Sequence, residues 1–158
     1  MVSQINDVLC YFSQVGDVPK LKLLKSYCSN HYGCELWNLF HAAISDVCIA
    51  WRKGLRGVWS LPFNTHTALL APLSDSLPLM NQICRRTLSF TVDCLSCNCN
   101  LIYFASRRAV NFGPMFSPTG CNVMFCCERY QQVVTVDNVY NCSLSPNAIR
   151  NYCIISSL

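Results

Sequence analysis

The sequence predicts a mainly α-helical fold, a single helical domain followed by a tail of short β or irregular character. Three observations predict it. Apolar residues recur at helical spacing over most of the chain. Gly16, Pro72, Pro78 and Gly113-Pro114 punctuate those stretches, and the one β-branched run, Gln131 to Asn141, falls near the end. The helical domain is placed at residues 1–130 and the tail at 131–158. At 158 residues the chain is of one-domain size and can bury a substantial core.

The elements follow in order. From Ser3 to Val15, Ile5, Val8, Leu9 and Phe12 share one helical face, and Gly16 stops the helix. A second helix starts near Asp17 with Pro19 in its first turn and runs through Leu21, Leu24, Tyr27 and Cys28 to Gly33. Lys22 and Lys25 lie off that stripe. The clearest helix is the third, Asp46 to Trp59: Asp46 suits an N-terminal turn, and Val47, Ala50, Trp51, Gly54, Leu55 and Val58 fall on one side. Arg52, Lys53 and Arg56 fall on the other. Loop or short helix continues to Ser76, and a helix from about Pro78 to Leu95 turns Ile83, Thr87, Phe90 and Cys94 inward, with Arg85 and Arg86 flanking. Ser96 to Asn100 reads as a turn, because Asn and Ser side chains compete with helix for backbone groups. A helix spans Leu101 to Asn111, capped by Gly113-Pro114. After a Ser117 to Gly120 turn, one more short helix covers Gly120 to Tyr130.

Composition narrows the function classes. The chain is 52% hydrophobic and 13% charged, about half the usual charged fraction, so apolar area should be left on its surface, as on a piece that packs against another domain. The net charge of +4, from 12 basic and 8 acidic residues, is a mild excess that names no partner by itself. Thirteen Cys form an odd count, and the stretch MVSQINDVLCYF lacks a basic leader with a long apolar run. The cysteines are therefore expected to be reduced, buried and apolar, in an intracellular chain. Pro62, Pro72 and Pro78 interrupt the longest apolar runs, so no membrane span is expected. The sequon Asn141-Cys142-Ser143 then reads as coincidence.

Several short patches carry a family resemblance. Leu23-Leu24-Lys25-Ser26-Tyr27-Cys28, Tyr32-Gly33-Cys34-Glu35-Leu36-Trp37 and Ala50-Trp51-Arg52-Lys53-Gly54-Leu55-Arg56 resemble the region just after the polymerase core of a non-LTR (LINE-type) retrotransposon reverse transcriptase. The same order continues in Leu61-Pro62-Phe63-Asn64-Thr65-His66, in Asn111 to Gly120, and in Phe125-Cys126-Cys127-Glu128-Arg129. The resemblance covers roughly Ile5 to Tyr130 and implies a thumb without its palm. In that family the palm holds two metal ions on an aromatic-X-Asp-Asp turn and a separate Asp, for in-line phosphoryl transfer. This sequence contains no Asp-Asp pair, and Asp7, Asp17, Glu35, Asp46, Asp75, Asp93, Glu128 and Asp137 stand singly. What the resemblance implies is thus a non-catalytic remnant that needs no cofactor. Its partner would be an RNA–DNA hybrid or duplex nucleic acid, held weakly, and its apolar surface would be the lost palm-domain interface.

Arg52, Lys53 and Arg56 are the nucleic-acid-binding candidates. Cations gathered on one face of a helix can hold a phosphate backbone without reading bases, although the same pattern is also an ordinary solvated face. Lys22, Lys25, Arg85, Arg86, Arg107 and Arg108 could extend the patch. Cys94, Cys97 and Cys99, with Cys84 upstream and Cys126-Cys127 downstream, are the best metal candidate. Zinc needs four ligands, usually as two close pairs, and adjacent Cys126 and Cys127 diverge on a helix. A small Cys-ligated zinc module and an inert or protein-associating fragment are the alternative readings. No local signature marks a Ser or Cys nucleophile. Among the tryptophans, Trp51 is expected in the core and Trp59 is the candidate for stacking on bases.

Overall fold

A computed structural model of the chain describes residues 2–130, side chains of residues 113–116 apart. The described chain is mainly helical and contains no strand. Seven α-helices succeed one another: α1 (Val2–Tyr11), α2 (Asp17–Cys28), α3 (Ala42–Val58), α4 (Leu70–Leu73), α5 (Leu79–Leu95), α6 (Asn100–Phe116) and α7 (Pro118–Arg129). Single 3-10 turns lie at Cys34–Leu36 and Thr67–Leu69. The tail expected to be β or irregular, residues 131–158, lies outside the described residues. The helical region expected as one domain resolves into two compact units. One unit is Met1–Tyr32 with Ala42–Leu79; the other is Gly33–His41 with the residues from Met80 onward.

In the first unit α1, α2 and α3 pack on one another. Ile5 and Val8 of α1, Leu24 and Cys28 of α2, and Ile44, Ala50, Trp51, Leu55 and Val58 of α3 are buried. Trp51 is 2% exposed, and removing a side chain of that size from a core costs about 3–5 kcal/mol. Close approach at α3 depends on glycine. A Cβ on Gly54 would stand 3.0 Å from Ile5 Cγ2 and 3.5 Å from Leu24 Cδ1, and one on Gly57 would stand 2.6 Å from Leu9 Cδ1.

The helix ends differ from expectation for local reasons. α1 stops at Tyr11 rather than Val15, because the apolar stripe runs out at Phe12 and the chain turns through a Val15 N–H to Phe12 carbonyl bond of 3.0 Å. Asp17 does open α2, with Pro19 in the first turn. That helix closes at Cys28, not Gly33, as both the backbone N–H and the hydroxyl of Ser29 return to the Lys25 carbonyl. Tyr27, expected inside, is 65% exposed, and Lys20 is buried on the same helix. α3 begins at Ala42, so Asp46 stands in its second turn and not at its N-terminus.

α3 terminates in a Schellman motif. The Leu61 N–H bonds the Arg56 carbonyl at 2.9 Å, the Ser60 N–H bonds the Gly57 carbonyl at 3.4 Å, and Ser60 takes a left-handed φ of 50°. The end of α4 repeats the device: Ser76 N–H to Ala71 carbonyl at 3.2 Å, Asp75 N–H to Pro72 carbonyl at 3.1 Å, and Asp75 at φ 42°. The Lys25 ammonium donates to the carbonyl of the buried Ser74, tying α2 to the end of α4.

In the second unit α6 and α7 form a packed pair, and Leu95 of α5, Val110 of α6 and Val123 and Cys127 of α7 cluster, with Val92 against them. The inward face of α5 is Ile83, Cys84, Thr87, Leu88, Thr91 and Leu95; Phe90, expected inside, is 38% exposed and Cys94 is half-buried. The buried threonines satisfy their hydroxyls within the helix, Thr87 to the Ile83 carbonyl at 3.1 Å and Thr91 to the Thr87 carbonyl at 2.8 Å. α6 runs past the expected stop at Asn111 to Phe116, with a kink at Phe112 (φ −122°, ψ 20°). α7 starts at Pro118 in the first helical position, where its missing N–H costs nothing, so the expected Ser117 to Gly120 turn is mostly helix.

One buried amide organises the 33–41 segment. Asn122 of α7 is fully buried. Its Oδ1 accepts the Leu39 N–H at 3.0 Å, and its Nδ2 donates to the carbonyls of Trp37 and, at 3.4 Å, Glu35. Phe40 adds an edge-on contact with Phe125, centroids 5.1 Å apart at 81°.

Candidate nucleic-acid interface

Helix α3 presents its cations on the side away from Trp51 and Leu55. Spacing accounts for it: Arg52 and Arg56 are one turn apart, and Lys53 and Arg56 are three residues apart. Lys53 is exposed, while Arg52 and Arg56 are half-buried. α3 carries no acid within a turn of these residues, so the helix itself offers the heads no carboxylate.

The three do not behave alike. Arg56 donates from its Nη2 to the Thr65 carbonyl at 2.8 Å, and its guanidinium lies 6.0 Å from the centroid of the Phe63 ring. Its Nε is out of solvent with no hydrogen-bond partner. Arg56 therefore fastens the 62–65 loop to the C-terminal half of α3, and Thr65 fixes that loop again by donating both its N–H and its hydroxyl to the Pro62 carbonyl. Trp59, the stacking candidate, is half-buried with its indole N–H out of solvent. The outward-directed part of the face is Lys53 with Arg52, beside the exposed Ile49.

The cations suggested as extensions divide between the units. Lys22 is exposed on α2 and Lys25 is held by the Ser74 carbonyl, both in the unit that contains α3. Arg85 and Arg86 on α5, and Arg107 and Arg108 on α6, belong to the other unit, where one Arg86 nitrogen stands 3.9 Å from the Cys34 sulfur. α6 also carries exposed aromatics beside its arginines, Phe104 and Phe112. The aromatics were not legible as surface residues, because alternation of Tyr103-Phe104 with Arg107-Arg108 fits a core face as well as an outer one.

Among the described residues the cysteines form no ligand set. Cys94 and Cys97 are half-buried and Cys99 exposed, with the Cys99 N–H 3.5 Å from the Cys97 sulfur in a local turn. Cys84 and Cys126 are buried together, the Cys126 thiol 3.9 Å from the Cys84 carbonyl. Hydrogen bonding with Cys84, and then burial, push the Cys126 thiol up, so it stays protonated at neutral pH. Burial likewise raises the Cys28 and Cys34 thiols, the latter opposed in part by Arg86. The described cysteines are free thiols, and among the described residues no three His, Cys, Asp or Glu side chains converge as a metal site requires. Among them too, no helix is long and apolar enough to cross a membrane.

No family model, no curated protein and no solved structure matches this chain.

Proposed function

We propose that this chain is a non-catalytic remnant of a retroelement reverse transcriptase whose α3 contacts the backbone of duplex nucleic acid without regard to sequence. One observation supports the reading above the others: Lys53 and Arg52 project from α3 opposite a tightly packed Trp51 face, on a helix with no neighbouring acid. Such a helix can lie along a phosphate backbone while its other side stays anchored in the core. The binding expected from two or three cations is weak. Each neutralised phosphate gives a slope of about −0.9 in log affinity against log salt on B-form DNA, so the complex should dissolve near physiological ionic strength.

The informative variant is Arg52→Glu/Lys53→Glu, because Arg56 also holds the 62–65 loop and its loss would mix folding with binding. Titrating parent and variant against a labelled RNA–DNA hybrid at low and moderate salt tests the proposal. Identical curves would reject it.

A second reading, a protein-associating fragment without nucleic-acid affinity, is favoured by a different observation. In the unit containing α3, Tyr11 is 82%, Tyr27 65%, Tyr32 91% and Phe63 81% exposed. Large apolar side chains left in water at this density suit a surface that another domain covers, such as the palm a thumb would pack against. Identical binding curves together with concentration-dependent association in sedimentation would favour this reading.

A further inference from the structure

We propose that the outer face of α6 binds single-stranded nucleic acid, with Phe104 and Phe112 as stacking platforms and Arg107 and Arg108 as phosphate contacts. This inference rests on α6 alone and not on the α3 reading. Phe104 is 62% and Phe112 58% exposed, and both arginines are exposed. With Asn111 these four line one open concavity of about 560 Å³.

The arrangement follows from helix geometry. Ala109 and Val110 are buried, which turns positions 104, 107, 108 and 111 outward at spacings of three and four residues. Positions 104 and 112 stand about 12 Å apart along a helix axis, and the arginines fall between them. At Phe112 the backbone leaves helical φ and ψ, so the second ring departs from a kink. The Arg107 guanidinium is 3.5 Å from the Tyr103 hydroxyl, which steadies it over the same surface. No residue of α6 is acidic.

Charge and shape select the ligand class. Two exposed guanidinium groups on a helix that carries no acid favour a polyanion, and aromatic faces favour flat bases, since every base offers a π-face whatever its sequence. A duplex keeps its bases stacked inside and would leave both rings in water. An anionic lipid surface would be met by an apolar stripe with cations at its margins, whereas here the cations lie between the rings.

The test uses the full chain and three probes: labelled oligo(U) or oligo(dT), a matched RNA–DNA hybrid, and phosphatidylcholine vesicles containing phosphatidylserine. Phe104→Ala/Phe112→Ala should weaken single-strand binding at least about fivefold, the low end for one lost stacked base, and leave hybrid binding as in the parent. Arg107→Gln/Arg108→Gln should flatten the salt slope by about 1.4, at about 0.7 per phosphate on a single strand. Arg52→Glu/Lys53→Glu should weaken hybrid binding more than single-strand binding, the reverse of the phenylalanine variant, which separates failure here from failure of the α3 proposal. Helical content and unfolding midpoint verify folding, and Phe104→Leu/Phe112→Leu supplies a variant that keeps apolar bulk while removing the rings. Absence of single-strand binding by the parent, parental affinity in both phenylalanine variants, or binding to vesicles alone would overturn the proposal.

Discussion

Removing the Asn122 side chain should destabilise the second unit by about 3 kcal/mol. In Asn122→Leu the Leu39 N–H loses its acceptor in a buried site, and a buried donor left unmade costs about 1–3 kcal/mol. The Trp37 carbonyl loses its donor but belongs to a half-buried residue that water can reach, which is worth about 1 kcal/mol. The 3.4 Å contact to Glu35 adds little. Asn122→Asp sharpens the test, because it keeps the shape and the acceptor for Leu39. Only a protonated carboxyl can donate to the Trp37 carbonyl as the amide did, so burial and that bond raise its folded pKa above the ordinary value of about 3.9. The folded state then binds the proton more tightly than the unfolded state. Stability should be close to parental below about pH 4 and decline as pH rises through the raised pKa. Urea unfolding of the full chain, followed by far-ultraviolet circular dichroism and tryptophan emission, measures both effects. Asn122→Leu within about 0.5 kcal/mol of the parent, or Asn122→Asp with the parental pH dependence, would refute the assignment.

Three further predictions concern backbone and chemistry. Ser60→Gly should stabilise the protein by about 0.5–1 kcal/mol, since a left-handed φ costs an L residue about 1–2 kcal/mol and glycine returns part of that as chain entropy; an unchanged urea midpoint would contradict this. Gly54→Ala should destabilise by about 1 kcal/mol, because overpacking against the stiff, buried Ile5 outweighs a helix-propensity gain of about 1 kcal/mol. Gly57→Ala should cost less, as the half-buried Leu9 can turn its tip aside, and equal effects at the two glycines would show that packing is not the cause. The purified chain should extend no primer on any template with any divalent metal, and metal-dependent extension that survives stringent purification would end the non-catalytic reading.

The helical class was readable because the stripes that make these helices are strong and local. On α3, Ala50, Trp51, Gly54, Leu55 and Val58 recur at the helical period, and all five are buried. α2 was harder to read. Its apolar positions are few, so Tyr27 could be assigned inward although burial stops at Leu24 and Cys28. On α5 the expected stripe drifted by one residue, and a polar Thr91 takes the place given to Phe90 because its hydroxyl is satisfied by the helix itself. Of the candidate site, the grouping of Arg52, Lys53 and Arg56 on one face was legible. The diversion of Arg56 to Thr65 was not, since it depends on a loop whose path no periodicity encodes. Ser60 and Asp75 hold positions where a glycine would have announced the helix end.

The excursion of residues 33–41 into the second unit has a consequence for assembly order. Asn122 and Leu39 are 83 positions apart, and joining ends that distant costs about 2 kcal/mol more chain entropy than closing a loop of about ten residues. If α3 and its partners fold first, the intervening chain is already compact and much of that cost is absorbed before α7 reaches the segment. Local helix pairing would then precede long-range capture, with the amide joining last. A polypeptide started at Met80 would lack the segment altogether, and its α7 would carry a buried amide facing no backbone.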